Sequence, residues 1–123
     1  MPTLLACLST GKGTWSEVSR LIQAQPWTSV FLLTNQFGKD NFTTFPETVH
    51  LMVVNFDVDV ISLIEEMKKQ LKDKINDFEV ALNFVSGYGK EHMALLEAVL
   101  ELGLNFRLVT VVNNRMEVLG LKC

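Results

Sequence analysis

Phe78-Glu79-Val80-Ala81-Leu82-Asn83-Phe84-Val85, followed at once by Ser86-Gly87-Tyr88-Gly89-Lys90, is the stretch on which the fold turns. The first part reads as a strand and the second as a glycine-rich turn. From about Lys90 to Leu102 a helical pattern follows, closed by Gly103, a residue that suits the left-handed end of a helix. Strand, tight turn and helix in that order make the unit from which parallel sheets are built, because a parallel neighbour can be reached only by a crossover.

The same unit recurs towards the N-terminus. Thr3–Ser9 is short and continuously apolar, as a strand buried on both faces must be, and Ser9-Thr10-Gly11-Lys12-Gly13 turns after it. Thr14 and Glu17 have the spacing of a capping box, and Val18, Leu21 and Ile22 mark one helical face before Pro26 stops the helix. Residues 29–35 read as a second buried strand and 49–56 as a third. Between them, 36–48 carries Gly38 and Pro46 and reads as a long irregular connection with room for a short helical turn. From Asp59, a natural helix cap, a longer helix carries Val60, Ile64, Met67, Leu71 and Ile75 as its core stripe, with Lys68, Lys69, Lys72 and Lys74 on a solvated face.

After the last helix, residues 105–112 form a further strand. Asn113-Asn114 suits a tight hairpin turn into Met116–Leu119. Strand and helix alternate up to this hairpin, so the chain is expected to be a single α/β domain over 1–123. It is a Rossmann-like three-layer domain with a mainly parallel sheet in the order 3-2-1-4-5-6 and a C-terminal antiparallel hairpin. The last helix is polar between Met93 and Leu102 only at Glu97 and Glu101, which either a thick core contact or a dimer interface explains.

Composition bounds the function. The formal net charge of −3 over 123 residues gives no basic footprint for long nucleic acid, although a small anion needs only local positive charge. No leader and no bilayer-length apolar run is read in the sequence, so a cytoplasmic protein with no membrane partner is expected. Cys7 and Cys123 make no metal motif, and neither metal nor cofactor is expected. Asp57 and Asp59 would suit a metal only with further ligands. Trp15 and Trp27 read as core residues, and His50 as a core or edge residue of its strand.

In a sheet of this order, ligands bind at the carboxyl ends of the strands where the order reverses, here between the first and fourth strands. The two glycine turns meet at that point. Each precedes a helix, so free backbone N–H groups and a positive helix end face the crevice. Ser9, Thr10, Gly11, Lys12 and Gly13 from one turn, and Ser86, Gly87, Gly89 and Lys90 from the other, are the candidate binding residues. Asn35 and Lys39 would join them from the loop after the second strand, and His92 from the first turn of the last helix. Neither turn is a P-loop, and Ser16 breaks the dinucleotide fingerprint that Gly11 and Gly13 begin.

The segment Asn83–Met93, with Ser86-Gly87-Tyr88-Gly89-Lys90 at its centre, resembles the motif after the fourth strand of CRISPR-associated Rossmann-fold domains, with Gly-Tyr-Gly-Lys where that motif has a Gly-Gly-Thr-Lys-like run. Ser9-Thr10-Gly11 matches that family's other ligand-binding loop. The resemblance implies a homodimer that binds a cyclic oligoadenylate or similar phosphorylated ligand; a stand-alone version is expected, a departure from members that carry an effector domain. It also implies that Ser9 and Thr10 contact the ligand and that Lys90 holds phosphate. In a cleaving version, a metal-independent phosphodiesterase, Lys90 and Ser9 would be the catalytic candidates and the ligand's 2′-hydroxyl the nucleophile. A scaffold subunit whose glycine loops only turn the chain is the remaining alternative.

Overall fold

A computed structural model describes residues 2–8 and 12–120. Strands β1 (Thr3–Leu8), β2 (Ser29–Thr34), β3 (Val49–Val53), β4 (Glu79–Asn83), β5 (Asn105–Val112) and β6 (Arg115–Val118) form one sheet in the order β3-β2-β1-β4-β5-β6. Every neighbouring pair is parallel except β5–β6, which is antiparallel. Among the described residues the helices are α1 (Trp15–Gln23), α2 (Gln36–Asn41), α3 (Val60–Leu71) and α4 (Gly89–Glu101). The expected α/β class, strand order and terminal hairpin are those observed.

β1 explains why its sequence is apolar without interruption. It lies between β2 and β4, and every residue from Thr3 to Leu8 is buried. Its side chains alternate between two cores. Leu4, Ala6 and Leu8 meet Val18 and Leu21 of α1, whereas Leu5 and Cys7 meet Leu63 and Met67 of α3 and Leu95 and Val99 of α4. Helices therefore cover both faces, as right-handed crossovers require when the chain grows first to one side of β1 and then to the other.

Local chemistry sets the element ends. The Asp59 carboxylate accepts the Ser62 backbone N–H at 2.9 Å and the Ser62 hydroxyl at 2.9 Å, capping α3. These bonds hold its carboxyl below the usual carboxylate range. Gly103, at φ 76°, ends α4 while Leu104 N–H reaches back to the Val99 carbonyl at 3.1 Å. Asn113 and Asn114, at φ 53° and 63°, make the hairpin turn.

Two details differ from the sequence reading, the entry into α1 and the core stripe of α3. Thr14 stands in the right-handed region at the end of a 3-10 turn (Lys12–Thr14), and its side chain does not cap α1, so the capping box is not formed. The short helical turn for which the connection 36–48 has room is α2. The core stripe of α3 is Leu63, Met67 and Leu71, with Val60, Ile64 and Ile75 only partly buried, because the helix stops at Leu71 and its buried face is centred on Leu63. His50 takes the edge position of the two read for it, exposed on β3 with its ring stacked on Phe31 at a centroid distance of 5.2 Å. Trp15 and Trp27 are core residues as expected.

Candidate ligand-binding site

The strand order reverses between β1 and β4, so the chain leaves the sheet on diverging paths at their carboxyl ends. On the β1 side, Ser9, Thr10 and Gly11 lie outside the described residues. Lys12 and Gly13 form the 3-10 turn, with Gly13 exposed and open space where a Cβ would stand.

On the β4 side the turn is held from within. Ser86 is 1 % exposed, and its carbonyl accepts the His92 Nε2 proton at 2.8 Å. A carbonyl oxygen can only accept, so Nε2 carries the hydrogen and, in the neutral ring, Nδ1 the lone pair. The His92 ring stacks on Phe84 at 5.0 Å. Gly87 adopts φ 106°, and a Cβ there would press on both His92 Nε2 and Cys7, so glycine is required twice over. Gly89 begins α4 with nothing near its Cβ position.

Two charged side chains finish the turn. The buried Glu91 carboxylate accepts the Tyr88 backbone N–H at 3.2 Å, putting a negative charge where the helix macrodipole favours one. Burial, and secondarily the Glu91 charge, push the Cys7 thiol well above its ordinary value. Lys90 Nζ donates to the Val58 carbonyl at 2.8 Å, tying the start of α4 to the segment between β3 and α3. That bond uses one ammonium proton and leaves two for another acceptor.

Around the first turn of α4, Ser86 and His92 are thus hydrogen-bonded to each other and Gly87 packs against the His92 ring, while Lys90 reaches out to Val58. Asn35 and Lys39 belong to a different element. Asn35 caps α2, its Oδ1 accepting Gly38 N–H at 3.0 Å, and Lys39 is exposed in the last turn of that helix. Gly38 packs so tightly on Thr34 that no side chain fits there.

Sequence reasoning missed a cleft of about 500 Å³ at the carboxyl ends of β2 and β3. Asn35, Phe37, Asn55, Phe56, Asp57 and Glu66 are among its lining residues. In the sequence Asp57 suggests only a metal ligand. Asn55 and Asp57 after the third strand were the available signal, but the partner Glu66 comes from nearly two turns into α3 and is not adjacent in sequence. Among the described residues, no three His, Cys, Asp or Glu side chains gather as a metal site would require. No protein-family model and no curated protein matches this sequence. Among the described residues, no helix is long and apolar enough to cross a membrane.

Proposed function

We propose that the chain is a cytoplasmic nucleotide-sensing module that binds a phosphorylated ligand, with cyclic oligoadenylate as the candidate, in the crevice at the carboxyl ends of β1 and β4. The observation that carries this reading is the reversal of strand order between β1 and β4, with a helix following each strand. Open α/β sheets bind ligands at that point because diverging chains leave a gap there and helix N-termini face it.

Lys90, in the first turn of the helix that follows β4, is the cation assigned to the ligand in this reading. Its amine is already oriented by the Val58 carbonyl, so little side-chain entropy remains to be lost when a phosphate takes the other protons. Gly87 and Gly89 let the backbone approach a ligand closely. The nature of the ligand comes from the resemblance of Asn83–Met93 to CRISPR-associated Rossmann-fold domains. Sensing is favoured over cleavage because His92 is committed to Ser86 and Lys90 to Val58, which suits a preformed binding loop more than a proton relay. The exposed Met93 and Leu100 on α4 supply apolar surface for the homodimer that the resemblance implies.

Cyclic oligoadenylates titrated into the protein test the reading by calorimetry, with chromatography of the ligand alongside. Saturable binding without linear product is expected. Absence of binding overturns the proposal, and chelator-insensitive linearisation lost in Lys90→Ala replaces the sensor with a phosphodiesterase.

A further inference from the structure

We infer that the cleft at the ends of β2 and β3 is a ribonucleoside site, distinct from the crevice between β1 and β4, that takes the sugar and base of the ligand. The inference deepens the proposed function and rests on it for the remainder of the ligand.

Size and charge come first. A volume of about 500 Å³ falls within the range of small-molecule sites. The charged residues that line the cleft are two carboxylates, Asp57 and Glu66, so its walls repel a phosphate placed in it. A neutral ligand rich in hydroxyl and amine donors meets the opposite situation.

The hydrogen bonds already made sort the remaining polar atoms. Glu66 Oε1 accepts Asn55 N–H at 3.3 Å, leaving Oε2 as an acceptor. Asn55 Oδ1 accepts Asp57 N–H at 2.9 Å, and Asn35 Oδ1 accepts Gly38 N–H, so both side chains retain their amide N–H₂ donors. The cleft therefore offers carboxylate acceptors for the paired hydroxyls of a ribose. It also offers amide donors for the ring nitrogens of a purine, the donor half of the two-point contact by which asparagine reads adenine. Phe37 and Phe56 add aromatic surface on which a base can lie.

Position completes the case. The gap between β2 and β3 lies two strand spacings, about 10 Å, from the gap between β1 and β4. One nucleoside and its phosphate can bridge such a distance. The Lys90–Val58 bond joins the two places, since Val58 follows Asp57 directly.

Adenosine, which carries no phosphate, is the probe. Titration followed by amide NMR is expected to shift Asn35, Asn55 and Asp57, and 2′,3′-dideoxyadenosine is expected to bind at least tenfold more weakly. Asp57→Asn and Glu66→Gln should each weaken adenosine several-fold and leave the dideoxy compound unchanged. Both substitutions keep the shape of the side chain, so folding is preserved. Equal affinity for the two nucleosides, or shifts that avoid the cleft, overturns the assignment. A cyclic oligoadenylate separates the two readings. If it moves the amides of 86–92 while adenosine leaves the cleft unmoved, the nucleoside site fails and the switch-point site stands. If adenosine binds the cleft and no phosphorylated ligand moves 86–92, the reverse holds.

Discussion

Lys90 commits one proton to Val58, and its side chain is half-buried in the first turn of α4. A lysine so placed acts on structure and on ligand together. Lys90→Met is expected to weaken a phosphorylated ligand at least tenfold while lowering stability only slightly, read by calorimetry and by urea denaturation. Gly87 is stricter, because a left-handed backbone and two close neighbours coincide there. Gly87→Ala should cost about 1–3 kcal/mol by urea denaturation. Cys7 gives a pH signature. Its thiol is raised in the folded protein by burial and by Glu91, so above the ordinary thiol value of 9.0 the unfolded chain loses a proton that the folded chain keeps. Stability is therefore whole below that pH and falls as the pH rises past it. In a Cys123→Ser background, Cys7 should resist a thiol reagent until the protein is unfolded, and Cys7→Ala should flatten the alkaline fall.

At the scale of elements, the covalent sequence carried most of the message. β1 had to be apolar at every position because both faces and both edges are buried, and Gly103 and Asn113-Asn114 name the ends they make. Asp59 caps α3 as its position before the helix suggested. The capping box at Thr14 and Glu17 did not form, because the chain enters α1 through a 3-10 turn that keeps Thr14 in helical geometry. The stripe of α3 was legible in kind but centred on the wrong residue, since Val60 and Ile64 flank Leu63 in a nearly continuous apolar run. Leu63→Ala should therefore cost about 2–5 kcal/mol, as a fully buried leucine does, and Ile61→Ala, on the exposed face, close to nothing. Denaturant midpoints of the two variants check this directly.

On the scale of the whole molecule, strand order was readable because alternating elements and right-handed crossovers leave few topologies. The cleft was not readable, because its walls come from three segments that approach one another only after β2 and β3 pair. The outer face of α4 leaves Met93 and Leu100 more than half exposed. If that face joins two copies, Met93→Glu with Leu100→Glu yields a monomer by light scattering where the unaltered chain is a dimer. The measurement closest to the central claim is amide NMR of the labelled protein titrated with a cyclic oligoadenylate. Saturating shifts concentrated at Ser86–His92 and around Val58, lost in Lys90→Met, are the expected result. No shift, or shifts confined to the opposite end of the sheet near Glu79 and Asn105, would contradict the account.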